Sequence, residues 1–173
     1  MGRDLRRIRP ARAEDVEPLV ELGRRSWLSA FAQTAPFALI AWWVRTDRTR
    51  TIYEQHWREM LVLEEDGIII GLVQPTNGEI NGLWVRPDRQ GAGAGSQLLA
   101  AGEDVIRREG HELAWLTCSG FNLSALEFYR RRGYIETIRN SYIHPCGTEV
   151  EDIRMERRLD GGRSRRNPPS TDG

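Results

Sequence analysis

The sequence predicts a mixed α/β fold, a single sheet of seven strands with helices interleaved. Three observations carry this expectation. Between residues 60 and 86, three strand-like runs follow one another, joined by short turns built from Asp, Asn, Gly and Pro. A glycine-rich loop then opens a long amphipathic helix, which makes a crossover in the middle of the chain. After it come a strand, a short helix and two further strands. A length of 173 residues suits one domain with a sizeable core.

Taken in order, Leu5 to Arg9 reads as a first strand that Pro10 ends. Ala13 to Arg25 is an amphipathic helix, with Val16, Leu19, Val20 and Gly23 marking one face at helical spacing. Ser26 to Trp43 is rich in aromatics and alanine, and Pro36 divides it. A further helix covers Arg48 to Trp57. Met60 to Glu64, Gly67 to Gln74 and Glu79 to Arg86 are strands, with hairpin turns at Glu65-Asp66-Gly67 and at Pro75 to Gly78. Ser96 to Glu109 is the central helix, packed through Leu98, Leu99, Gly102, Val105 and Ile106 and stopped by Gly110. Leu113 to Cys118 is the fifth strand and Asn122 to Arg132 a short helix closed by Gly133. Tyr134 to Ile143 and Glu149 to Arg157 are the last strands. The domain is expected over residues 1–160, with a polar, disordered tail over residues 161–173.

Bulk composition narrows the function. Acidic and basic residues balance at 25 each, so net charge points neither to nucleic acid nor to an acidic membrane as main partner. No apolar run approaches the roughly 20 residues that span a bilayer, and the N-terminus lacks the apolar stretch of a signal peptide. A cytoplasmic location is the expectation. Cys118 and Cys146 are too few for a disulfide framework and too far apart for a zinc site, so no metal is expected. All 25 basic residues are arginine. A chain without lysine has no Walker-type phosphate loop and no Schiff base.

The glycine loop holds the most chemistry. Gln90, Gly93 and Gly95 are spaced Gln-x-x-Gly-x-Gly, Gly91 adds a third glycine, and Ala92 and Ala94 keep the surface small before Ser96 begins the helix. Glycine permits positive φ and close approach of a ligand to the backbone. Successive N–H groups at the positive end of a helix then suit a phosphate or diphosphate. The same glycines also read as an ordinary turn. An apolar strand before, Pro87 at the turn and an amphipathic helix after favour the phosphate loop. A dinucleotide fingerprint wants an acidic residue about 20 positions on, where this chain has the entry to a strand.

Leu83-Trp84-Val85-Arg86-Pro87 followed by Gln90-Gly91-Ala92-Gly93-Ala94-Gly95 resembles the acetyl-CoA signature of the GNAT N-acetyltransferases. Asn122, Ala125, Phe128-Tyr129 and Gly133-Tyr134 resemble that family's following segment, and Arg9 to Asp15 its opening. The likeness runs from about Arg9 to Arg158. It implies a mostly antiparallel seven-stranded sheet, splayed between strands 4 and 5 and often bulged in strand 4. It implies that backbone groups at Leu83, Trp84 and Val85 line the pantetheine arm and hold the acetyl carbonyl. The amides from Gln90 to Ser96 would bind the diphosphate, Asn122 would reach the cofactor beside Ala125 and Phe128, and Tyr129 would stand near the sulfur. The expected activity is direct acetyl transfer from acetyl-CoA to the amine of a small molecule or peptide. The alternative is a non-catalytic CoA-binding sensor or partner protein.

Within that expectation, a general acid for the departing thiolate needs a proton at neutral pH, which the phenol of Tyr129 keeps with its ordinary pKa of about 10. Glu79 is the candidate base or the holder of a water that acts as one; it reads equally as a solvated residue at a hairpin end. Trp27, Phe31, Phe37, Trp42 and Trp43 could line an acceptor pocket, or form core or the face of a homodimer. Trp84 and Trp115 read as core. His56, His111 and His144 are scattered and are given no catalytic part.

Overall fold

The computed structural model describes residues 6–159. Leu5, from the expected first strand, and the expected disordered tail lie outside them. Strand β1 (Arg6–Pro10) leads through a single 3-10 turn to helix α1 (Val16–Phe31), followed by α2 (Phe37–Thr46) and α3 (Arg48–His56). Then come β2 (Leu61–Glu65), β3 (Ile68–Thr76), β4 (Glu79–Val85), α4 (Ala94–Arg108), β5 (Leu113–Ser119), α5 (Leu123–Arg130), β6 (Ile135–Ile143) and β7 (Glu149–Arg158). The strands form one sheet in the order β1-β2-β3-β4-β5-β7-β6. Neighbours are antiparallel except β4 and β5, which are parallel. The mixed, mostly antiparallel seven-stranded sheet expected from the sequence is the one observed. No described helix is long and apolar enough to cross a membrane.

Both meander turns are two residues long with both φ positive: Asp66-Gly67 at +50° and +80°, Asn77-Gly78 at +52° and +82°. These values match a hairpin turn whose twist follows that of the strands. The second turn is shorter than the sequence suggested, because Pro75 belongs to β3. Proline is tolerated there because the ladder is already interrupted. Gln74 pairs with Gly82 and Pro75 with Ile80, which leaves Asn81 as an extra residue in β4. The bulge resets the alternation, so Ile80, Leu83 and Val85 all pack on one side of the sheet while Trp84 packs on the other.

The sheet is covered on both faces. On one, α4 buries Leu98, Leu99 and Ile106 against Ile70, Val73, Leu116, Ile153 and Met155. On the other, Leu19, Val20 and Leu22 of α1 and Tyr53 of α3 pack on Met60, Val62 and Leu72. Helix α1 runs six residues beyond the Arg25 expected from its apolar spacing. Its buried face continues through Ser26, whose hydroxyl donates to the Val85 carbonyl at 3.1 Å, a polar step that hydrophobic periodicity does not show.

Helix α4 lies close on β3 and β4 at Gly102. A Cβ there would stand 2.9 Å from Ile80 Cδ1 and 3.0 Å from Val73 Cγ2. Gly102→Val is therefore expected to lose about 1–3 kcal/mol by overpacking, measured as a lower urea midpoint at unchanged slope. Wild-type stability in this variant would show that the helix can lift at no cost.

Asp15 is buried and accepts from both ends of the Arg9 guanidinium (2.6 and 3.0 Å) and from the Arg12 amide (2.8 Å). The Arg9 hydrogen bonds hold its carboxyl below the usual range, against the opposing effect of burial. A lowered folded-state pKa gives stability that is complete above the unfolded pKa of about 4 and fades as pH falls through the folded one. Urea midpoints measured between pH 6 and 3 should fall more steeply in wild type than in Asp15→Asn; parallel curves would deny Asp15 this part.

Candidate functional site

Strands β4 and β5 pair only at their beginnings. Glu79 is opposite Trp115, and the Trp115 amide donates to the Gly78 carbonyl at 3.0 Å. Beyond that point they part. Regular pairing of Leu83, Trp84 and Val85 with β3 lets backbone direction be read from one contact, the Arg86 N–H to the Ile70 carbonyl at 2.8 Å. Alternation then turns the polar groups of Trp84 toward β3 and those of Leu83 and Val85 toward the gap. The Val85 carbonyl is already taken, by Ser26 Oγ and by Gln90 Nε2, both at 3.1 Å. The N–H of Val85 and both polar groups of Leu83 are what β4 offers to the gap.

The loop after β4 reaches Gly91 at φ +81° and Gly93 at φ +82°. At neither glycine would a Cβ meet anything within 4 Å, so both present bare backbone to open space. Gly93 caps α4, which begins at Ala94, two residues earlier than the helical pattern suggested. The first bond into the helix runs from the Gln97 N–H to the Gly93 carbonyl at 3.1 Å. The amides of Ala94, Gly95 and Ser96 therefore lack intrahelical acceptors and sit at the positive end of a fifteen-residue helix. Gly95 packs against the Phe128 ring, where a Cβ would come within 3.1 Å.

Four side chains hold the loop in place. Arg6 Nη1 donates to the Ala92 carbonyl at 2.8 Å, and Glu65 receives Arg6 Nε at 2.5 Å and Arg89 Nε at 3.1 Å. Gln90, with its amide donated to Val85, ties the loop to the strand end. Of the loop's own backbone groups these bonds engage the Ala92 carbonyl, and none of them uses a loop backbone amide.

The loop, the end of β4 and helix α5 enclose a cleft of about 460 Å³. Of the residues singled out in the sequence, Leu83, Trp84, Val85, Gln90, Gly91, Gly93, Gly95, Ser96, Asn122, Ala125, Phe128 and Tyr129 line it. Ala92 is exposed behind the loop, and Ala94 is buried in the core. Glu79 is outside the lining, four residues back along β4 at the seam where the strands still pair. There, partial burial raises its pKa while the charge of Arg154 pulls it down. Arg154 stacks 3.9 Å from the Trp115 ring, which is half-buried and so lies at the margin of the core rather than within it.

Asn122 caps α5: its Oδ1 accepts from the Ala125 N–H and from Ser124 Oγ, both at 3.2 Å. With the oxygen engaged, its NH₂ is the part left for the cleft. Tyr129 is packed edge-on against Phe128 and Tyr134, at 5.2 and 5.6 Å between ring centres. Burial, with a smaller contribution from Cys118, drives its hydroxyl well above the ordinary phenol pKa. The Cys118 thiol is pushed up to about 12, first by burial and then by Asp152. Both groups thus keep their protons across the neutral range.

Ser26, Ala30, Ser124, Arg131 and Arg132 also line the cleft and were not anticipated. For the arginines a signal was present, a run of three before Gly133. For Ser26 and Ala30 there was none, since only the packing of α1 brings them there. Beyond Ala30, Trp27 stacks on Trp43 at 4.1 Å and on Phe31 at 4.7 Å, while Trp42 meets His144 edge-on at 4.5 Å. Helix α2 is thereby held between α1 and the β6–β7 hairpin. Phe31 is buried and Phe37 is exposed.

Comparison with known proteins agrees with this architecture. Over 79 residues the chain is 37% identical to a mycothiol acetyltransferase of Clavibacter sepedonicus, a stretch covering 43% of this chain and 26% of that protein. The chain thus spans about a quarter of that relative's length. A GCN5-related N-acetyltransferase from Rhodopseudomonas palustris superposes with a TM-score of 0.78 at 22% identity, over 92% of this chain and 99% of that one. The PaiA N-acetyltransferase of Thermoplasma acidophilum, solved in complex with coenzyme A, gives 0.71 at 20% identity, over 89% and 99%. At these identities the structural likeness is one of fold. Residues 17–134 match the model of the Acetyltransferase (GNAT) family, which is more than half of the chain and includes the glycine loop, Asn122 and Tyr129. This chain belongs to the GNAT acetyltransferase family.

Proposed function

We propose that the chain is an N-acetyltransferase that moves an acetyl group directly from acetyl-CoA, the donor GNAT acetyltransferases use, to an amine. The observation that carries this is convergence: free helix amides, unpaired strand groups and a protonated phenol share one cleft. The lining fits the donor in chemistry. The amides of Ala94, Gly95 and Ser96 suit a diphosphate, and bare glycine backbone at positions 91 and 93 admits it closely. Leu83 and Val85 offer the gap the alternating donors and acceptor that an extended amide chain needs. Acetyl-CoA supplies an acetyl group activated as a thioester.

In this proposal Tyr129 gives its Oη proton to the sulfur as the C–S bond breaks, and recovers one from solvent. The N–H of Val85 or Leu83 holds the acetyl oxygen. Glu79 takes the acceptor's proton through water, a role supported by its raised pKa and by its place on the strand that leads into the cleft. Ser26 and Ala30 form the acceptor wall together with the aromatic stack behind them, whose apolar surface suits an amine carried on a small organic or peptide body. A homodimer is part of the same reading. The edge strand β6 is exposed along all nine residues, including Ile135, Ile138 and Ile143, and such edges readily pair with another chain.

A panel of amines, polyamines, aminoglycosides and peptides, assayed by release of CoA from acetyl-CoA, tests the activity. The expected result is release that depends on the acceptor, with no stable acetylation of Cys118 in mass spectra after acetyl-CoA alone. An acetylated Cys118 would replace direct transfer by a covalent route. Binding of the donor with no turnover on any member would favour the sensor.

A further inference from the structure

Arg132 stands in an unusual place for a cation. Its guanidinium donates to the hydroxyl of Ser96, the third residue of α4, and to the Phe128 carbonyl at 3.2 Å, and lies 3.7 Å from the centre of the Phe128 ring. The first turn of a helix repels positive charge by the same dipole that attracts anions. Burial and the neighbouring Arg131 also oppose its charge. The charge of Glu103 offsets part of this from a distance, but no described carboxylate pairs with Arg132 directly. Arg130 has Glu136 at 3.8 Å and Arg131 has Glu127 at 3.6 Å, whereas among the described residues no carboxylate lies within 4 Å of Arg132. The nearby buried Glu103 is already engaged by the Tyr134 hydroxyl at 2.9 Å and by Arg157 at 3.0 Å. Arg131 and Arg132 both line the cleft.

We infer that Arg131 and Arg132 form a phosphomonoester site on the α5 side of the cleft, by which the protein distinguishes coenzyme A from the same molecule without its 3′-phosphate. The inference rests on the reading of the cleft as a coenzyme A site and adds to it a determinant of donor choice. Diphosphate oxygens are matched by the three helix amides, so two further cations exceed what that group requires. A phosphomonoester carries about −1.5 to −2 at neutral pH and three acceptor oxygens, which suit the planar fork of a guanidinium. An anion at this point reverses each unfavourable effect on Arg132 at once: the helix pole, the neighbouring arginine and the burial.

Calorimetric titration of the wild type with coenzyme A and with 3′-dephospho-coenzyme A tests this. Wild type should prefer coenzyme A by about 10- to 100-fold, as expected for charge-assisted bonds. Arg132→Ala should weaken coenzyme A by about tenfold or more and leave the dephospho form within about twofold, with Arg132→Lys keeping part of the preference. The exposed Arg131→Ala, which disturbs no packing, should lose a smaller share of it. Equal wild-type affinity for the two ligands, or equal losses for both in Arg132→Ala, would overturn the phosphomonoester site while leaving the cleft a coenzyme A site. Wild type that binds neither ligand would overturn both readings.

Discussion

Tyr129→Phe should lower turnover by about 10²-fold or more while leaving the affinity for acetyl-CoA unchanged. The change removes one oxygen and keeps the ring that packs between Phe128 and Tyr134, so the cleft keeps its shape. In the proposed mechanism, what is lost is the proton that Tyr129 gives to the departing sulfur. Burial holds that proton more firmly than in a free phenol. Because the pKa is raised, the hydroxyl is in its donating form at every pH below about 10, and its ionisation sets no alkaline limb on kcat in that range. Steady-state kinetics with the best acceptor, beside a binding isotherm for acetyl-CoA, separates the two effects. An unchanged kcat would take the acid role from Tyr129.

Gly93→Glu should abolish coenzyme A binding in a protein that still folds. The backbone at Gly93 has φ +82°, so glutamate carries strain of about 1–3 kcal/mol there. That cost does not abolish folding, because the space around the new Cβ is open and nothing is displaced. The effect on binding is far larger. A carboxylate placed ahead of the Ala94, Gly95 and Ser96 amides would occupy the field that a diphosphate uses and repel its charge. Gly93→Asn is the control, since asparagine tolerates positive φ and brings no charge. It should bind coenzyme A more weakly than wild type but measurably. Thermal shifts with coenzyme A report both variants, and wild-type affinity in Gly93→Glu would reduce the loop to a turn.

Most strand and helix limits were legible because their signals are local. Alternation, helical spacing and the Asp-Gly and Asn-Gly pairs place β2, β3, β4, α4, β5 and α5 within about two residues of the observed limits. The misses share a cause. Apolar spacing ends α1 before Ser26 and turn composition places Pro75 in a turn, because each is fitted to a partner on another element: the Val85 carbonyl for one, the bulge of the adjacent strand β4 for the other. The cleft was legible where it is made of backbone. Glycines announce bare amides, and a motif reports their spacing. It was less legible where it is made of side chains from other elements.

From the sequence alone came the family, the order of the elements and the glycine loop that opens helix α4, since all three depend on residues close together along the chain. Only the folded chain decided which groups share the cleft. It brought Ser26, Ala30, Arg131 and Arg132 to the lining and left Glu79 at the seam behind it. It also directed the polar groups of Leu83 and Val85 toward the gap and those of Trp84 toward β3. The reason is physical. A bulge of one residue at Asn81 and the parting of two parallel strands set those directions, and both arise from pairing with other strands, β3 in the same hairpin and β5 beyond helix α4, rather than from any local preference of the residues concerned.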